Sequence, residues 1–269
     1  MDHDTVKDAA RAAESNPAVR ALARGGYAAT GLVHLLLGGL VVAVALGGAS
    51  GQTSQSGAME ALAGAPFGVV LVWIVAALLA ALGAYQLVNG VVVRESDAAA
   101  RWRARLSAWG RAIVYLALAG LAASIAVGAR PQSDDSAEEA SRGVLSIPGG
   151  GILLGAVGLG ILVAGVSYAV IGVRRDFRKK MTLPAGVLGT TVTALGVIGY
   201  VAKGLALGVV GILVGIAAVT VDAETAGGLD AAIQSLLDLP AGPAIVMGVG
   251  AGFAAYGVFC FFRVRYADL

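Results

Sequence analysis

Cysteine is almost missing from this sequence: Cys260 stands alone among 269 residues. No disulfide can close within the chain, and no thiolate metal site can be assembled. Its ordinary reading is a small buried apolar residue. Histidine is scarce as well, with only His3 and His34. The sequence carries no glycine-rich phosphate loop, no G-x-S-x-G and no grouped serine, histidine and carboxylate. These absences predict no enzyme, no metal and no cofactor. Charged residues make up 13% of the chain, about half of what a soluble domain uses. The basic residues lie in short clusters, which argues against nucleic acid as a partner.

What the sequence has instead is oil. Hydrophobic residues are 58% of the total and the mean hydropathy is +0.82, far beyond soluble composition. The apolar residues form six blocks, roughly 25–48, 67–93, 107–129, 149–173, 196–221 and 241–262. Each reaches the roughly 20 residues that cross about 30 Å of hydrocarbon. The first block follows Arg20 and Arg24 and precedes "ALGGAS", as in a signal peptide. Its length exceeds the 7–15 residues of a signal core, so it is expected to remain as a first helix. No block contains Asp or Glu. A carboxylate in a span costs about 2.5–3.5 kcal/mol on insertion scales and commonly serves ion coupling. Its absence disfavours a proton- or sodium-driven transporter.

Charge is sorted along the chain. Lys7, Arg11, Arg20 and Arg24 precede the first block; Arg94, Arg101, Arg103 and Arg105 lie between the second and third; Arg174, Arg175, Arg178, Lys179 and Lys180 follow the fourth; Arg263 and Arg265 follow the sixth. The alternate loops hold only Arg130 and Arg142 against Glu60, Asp134, Asp135, Glu138, Glu139, Asp222, Glu224, Asp230 and Asp238. By the positive-inside rule both termini are expected in the cytoplasm.

The chain also repeats itself. Steps of 82 and 92 residues separate Pro66, Pro148 and Pro240, each opening an apolar block after an acidic loop. The blocks before them align from Gly26, Ser107 and Gly199, with steps of 81 and 92. Each unit reads outward helix, acidic loop, proline, inward helix, then tyrosine and arginine, with Tyr85, Tyr168 and Tyr256 as the repeated aromatic. The expected organisation is a tail over 1–19 and repeats over 20–93, 94–175 and 176–269. The expected fold is all-α and polytopic, with three parallel two-helix repeats about an axis along the membrane normal in a pseudo-threefold bundle.

A few polar residues interrupt the apolar blocks. The repeat register aligns Thr30, Arg111 and Lys203, and one turn further His34, Tyr115 and Leu207. Lys203 is expected at an inner edge, its ammonium snorkelling to anionic headgroups; the alternative is a cytoplasm-facing binding residue. His34 is expected as a neutral ring bonded to a tyrosine, a backbone carbonyl or a neighbouring helix, or else as a proton-relay or ligand residue. Gln86 and Asn89 could join it, or simply hydrogen-bond between helices. Glycines at four-residue spacing, Gly151/Gly155, Gly204/Gly208, Gly211/Gly215 and Gly248/Gly252, suggest close helix packing within the bundle or an oligomer seam.

Outside the blocks, "GGLDAAIQSLLDLPAG" puts Leu229, Ile233, Leu236 and Leu237 on one helical face. It predicts a short outer helix, a lid or a surface cap, with fainter versions before Pro66 and Pro148. Separate interfacial helices are expected before the odd-numbered spans, with a bend or in-plane segment near 190–199.

Gly26-Tyr27, Gly31 and His34, the three helix pairs and the ending "AAYGVFCFFRVRYADL" resemble a bacterial membrane-protein family catalogued as domain of unknown function 1206, over about residues 20–266. Gly199-Tyr200 and Gly204 fit its pattern again. The middle unit departs, with Ala108 and Ala112 at the tyrosine and glycine positions, against any role needing three equivalent sites. The resemblance implies a bacterial inner-membrane protein and brings no activity with it. Two functional expectations follow: a non-enzymatic interaction, scaffold or envelope-stress component, and a small-solute or ion conduit. The bilayer, anionic inner-leaflet lipids, a second copy and a membrane partner protein are the partners this layout admits.

Overall fold

A computed structural model describes residues 17–47, 53–93, 97–130 and 133–267. The tail over 1–16, with Lys7 and Arg11, and the linker residue Arg94 lie outside the described residues. The described residues form helices α1 Pro17–Ala45, α2 Gln55–Ala63, α3 Gly68–Val92, α4 Ala98–Ala126, α5 Ser133–Leu145, α6 Gly150–Arg174, α7 Val187–Thr220, α8 Leu229–Leu237 and α9 Gly242–Tyr266. Six of them, α1, α3, α4, α6, α7 and α9, are long and apolar enough to cross a membrane. The short helices α2, α5 and α8 lie in the acidic loops. The fold is all-α; the one sheet-like contact among the described residues is an isolated bridge between Met181 and Ala267.

Hydropathy marks the apolar core of a span, not its ends, and the odd-numbered spans begin earlier than their apolar blocks. Instead of a separate interfacial helix, residues 17–24 continue directly into α1. Instead of a bend near 190–199, α7 runs unbroken for 34 residues. Thr190, Thr191 and Thr193 return their hydroxyls to the carbonyls four residues back, which satisfies these polar groups within the helix without an outside partner. At 1.5 Å per residue the helix is about 51 Å long, well beyond about 30 Å of hydrocarbon.

The same turn introduces α3, α6 and α9. After Pro66, Pro148 and Pro240 come Phe67, Gly149 and Ala241, with φ of 61°, 79° and 64°. The following Gly68, Gly150 and Gly242 donate their N–H to Ala65, Ile147 and Leu239. Proline followed by a left-handed residue and an N–H bonded three back is the pattern of a type II turn. A Cβ on Gly242 would lie 2.1 Å from the Leu237 carbonyl oxygen, so only glycine fits where the chain turns under α8.

The chain divides into two compact units, with the boundaries inside α1 and near the end of α2. The first holds α1 up to Ala29 together with α3 and α4. Here α3 packs closely on α4: a Cβ on Gly83 would come within 2.7 Å of Leu116, and one on Gly90 within 2.3 Å of the Trp109 ring. Along α4 the buried residues are Ala108, Ala112, Ala119 and Ala122, with Ile125, a stripe mostly of small residues at helical spacing.

The second unit holds the rest of α1, most of α2, and α5 through α9. Its spans meet through glycine. Cβ atoms on Gly31 and Gly257 would each come within 2.9 Å of the other's carbonyl oxygen. Gly165 and Gly204 stand in the same relation, at 2.7 and 2.6 Å. Gly38 and Gly250 repeat it between α1 and α9, and Gly158 and Gly211 between α6 and α7. Without a hydrophobic drive between helices in lipid, such backbone approach is a main source of association. Of the glycine pairs noted in the sequence, Gly204 and Gly211 make these contacts, whereas added Cβ atoms on Gly215 and Gly248 would meet open space.

At the end of this unit that carries the acidic loops, Thr53, Ser54, Ser56, Ala58 and Met59 are all but inaccessible. The Thr53 N–H and hydroxyl both donate to Asp230 Oδ1, tying the start of α2 to α8. Ser54 and Ser56 hydroxyls lie 2.7 Å apart, so buried hydroxyls answer one another. Ile233 of α8 is fully buried, as its expected face requires, joined by Ala232. Helices α2 and α8 are therefore packed structure and not surface ornament. At the opposite end, Phe177, Met181, Val192, Tyr200, Tyr256, Phe259 and Cys260 form one core cluster. Thr182 N–H donates to the Tyr266 carbonyl at 3.0 Å, fastening the segment after α6 to the end of α9.

Candidate intramembrane site

The second unit brings Thr30 and His34 of α1, Tyr168 of α6, Lys203 of α7 and Tyr256 of α9 into one cluster. His34 is 6% exposed and its Nδ1 lies 2.8 Å from the Thr30 carbonyl oxygen. A carbonyl only accepts, so Nδ1 carries the proton. This leaves Nε2 as the acceptor for the Lys203 ammonium, 3.4 Å away. The histidine therefore finds its partner in its own helix, one turn back, as a buried polar ring must.

Lys203 is held by more than this hydrogen bond. Its Nζ lies 4.8 Å from the centroid of Tyr256 and 5.1 Å from that of Tyr168, inside the range of cation–π attraction. The ammonium thus faces rings and an imidazole of other helices, where the sequence alone suggests snorkelling to headgroups. Helix α7 starts at Val187, so Lys203 lies inside the helix and not at its first turn. No carboxylate is paired with Lys203 among the described ion pairs. Its charge rests on ring faces and one imidazole nitrogen.

Residues not singled out from the sequence complete the cluster. Phe253 meets His34 edge to face, centroids 6.2 Å apart at 69°, and His34 also leans on Tyr256 at 4.8 Å. Tyr200 stacks on Phe177 at 5.3 Å with nearly parallel planes, meets Tyr256 edge-on and stacks against Tyr168. Helical spacing was the available signal: Phe253 lies three residues before Tyr256, and Tyr200 three before Lys203, so each shares a face with its partner.

The remaining candidates belong to the first unit. Arg111 is exposed and donates to the Ser107 hydroxyl at 2.9 Å. Tyr115 is half-buried, and Gln86 and Asn89 are partly buried on α3. No donor among the described residues reaches the buried Gln86 Oε1. Tyr85 is 49% exposed, unlike Tyr256, and the three tyrosines do not share one register position. They follow their prolines by 19, 20 and 16 residues, which turns their side chains to different helix faces. Arg111, though aligned with Lys203, has no such cage among the described residues and bonds Ser107 instead. The register that equates these positions carries over to backbone packing, where Gly31, Ala112 and Gly204 correspond, and not to side-chain chemistry.

Three stretches, 25–92, 106–175 and 198–267, match the model of one family, described as Domain of Unknown Function (DUF1206). A similar curated protein, "Uncharacterized protein YxxB" of Bacillus subtilis (strain 168), is 27% identical over 262 residues, covering 95% of this chain and 94% of the relative. No solved structure matches.

Proposed function

Since the chain belongs to the DUF1206 family on three tandem matches, a family with no activity to transfer, we propose from its own site that it is a non-enzymatic protein of the bacterial plasma membrane. In this reading both termini are cytoplasmic, and the protein acts by holding a membrane partner protein or a second copy of itself. The observation that carries the reading is the inward satisfaction of its polar groups. His34 is bonded within its helix, and Lys203 is spent on His34 and two tyrosine rings. Groups engaged this way stabilise a bundle, whereas a conduit needs them turned to a hydrated path.

A second reading, a proton or small-anion pathway, is favoured by one observation: a cation beside an imidazole nitrogen with no described carboxylate to neutralise it. Intramembrane ionisable groups commonly mark such pathways. Purified protein in liposomes separates the two. The scaffold reading expects proton and solute leakage equal to that of empty vesicles, unchanged by His34→Ala or Lys203→Met. Selective flux that vanishes in either variant would overturn it.

A further inference from the structure

A cavity of about 440 Å³ opens between the segment after α6 and the first turns of α7, lined among others by Arg175, Arg178, Gly186, Thr190, Ala194 and Ile198. It lies in the second unit, away from the His34–Lys203 cluster, and nothing described so far uses it. We propose that it binds a phosphate group, that of an anionic lipid headgroup in the leaflet at the arginine-rich end.

Charge partition is the first argument. Four cationic side chains on residues 174–179 have one acid among them. Asp176 bonds Lys179 at 2.6 Å and lies 3.8 Å from Arg174. The Lys179 hydrogen bond holds the Asp176 carboxyl below its usual range, with the charges of Lys179 and Arg174 adding to this. Asp176 therefore stays anionic and keeps those two cations. Arg175 and Arg178 are left over: among the described residues neither guanidinium has an ion pair or side-chain hydrogen bond. Both line the cavity, and no carboxylate lines it with them. Two planar guanidinium forks fit phosphate oxygens in geometry and charge.

Backbone shape is the second argument. Arg175 holds φ 58° at the end of α6, a conformation unfavourable for a residue with a Cβ, and this ends the helix where its side chain reaches the cavity. The N-terminus of α7 supplies a favourable dipole on the other side, and its cap, Gly186, makes no side-chain cap bond.

The opposite wall argues for lipid over free phosphate. From Gly186 to Ile198 the cavity follows α7 for about 18 Å, passing from the arginines to Ala194, Val197 and Ile198. Ile198 is 52% exposed. A free phosphate has no use for an apolar wall, whereas an acyl chain does.

Native mass spectrometry of the full chain released from detergent, with phosphatidylglycerol, a phosphate-free glucosyl diacylglycerol and inorganic phosphate as probes, tests this. Retention of phosphatidylglycerol over the glycolipid is expected. It should fall about fivefold for Arg178→Gln and further for Arg175→Gln with Arg178→Gln. The control pair Arg174→Gln with Lys179→Gln, made together with Asp176→Asn so that no carboxylate is freed, takes one net charge from the same segment, as Arg178→Gln does, and should leave it unchanged. Ala194→Trp, which fills the apolar wall and keeps both arginines, should also release the lipid. Gel filtration and melting temperature confirm that each variant is folded. Equal loss in the control pair would reduce the site to diffuse charge and overturn the proposal, as would unchanged retention in the double arginine variant. Displacement by equimolar inorganic phosphate with no effect of Ala194→Trp would overturn the lipid assignment.

Discussion

At the residue scale, the informative side chain is Lys203. The sequence places it near the start of an apolar block, and from position alone an edge anchor is the natural inference. Two rings and an imidazole drawn from other helices surround it instead, and none of them is adjacent in sequence. His34 was more legible, because a buried ring that far inside an apolar helix must bond something, and the carbonyl four residues back is always within reach. The Lys203–His34 contact is testable by a double-mutant cycle. Single substitutions Lys203→Met and His34→Ala, and the pair together, are compared by thermal unfolding in detergent. A coupling of about 1 kcal/mol is expected, against the roughly 0.3–0.5 kcal/mol within which independent sites add. Additivity would mean the 3.4 Å approach contributes no stability.

At the element scale, the spans were legible because twenty-residue apolar blocks leave little choice in lipid. Which span faces which was not. The sequence groups α1 with α3 and α4 with α6 as hairpins. Close glycine contacts also join the second span of one repeat to the first span of another, α3 with α4, α6 with α7 and α9 with α1, beside contacts within a repeat such as Gly26 on Leu82 and Gly199 on Tyr256. A small residue announces close approach but does not name its partner. Gly204→Ala tests the pairing, since its Cβ would stand 2.6 Å from the Gly165 carbonyl oxygen. It should destabilise by about 1–3 kcal/mol, the usual cost of overpacking. Gly215→Ala, whose Cβ meets nothing, should be neutral or slightly stabilising, because alanine favours helix over glycine by up to about 1 kcal/mol. Equal melting temperatures for the two variants would argue against the α6–α7 contact.

At the scale of the whole molecule, sidedness is the outstanding expectation. Cys260 is 1% exposed, so Cys260→Ala gives a background free of reactive thiol at little structural cost. Cysteines introduced at Asp135 and Glu224 should then react with a membrane-impermeant maleimide added to intact cells, and one at Lys179 only after lysis. Labelling of all three from one side would refute the alternating topology. Order of synthesis adds something else. The glycine face of α1 that carries Gly31 and Gly38 is matched by Gly257 and Gly250 of α9, and α9 leaves the ribosome after α3, α4, α6 and α7. Helix α1 must therefore sit in the bilayer with this glycine face vacant until α9 is made, so a nascent chain stalled anywhere before residue 242 displays an unmatched face to membrane chaperones and proteases.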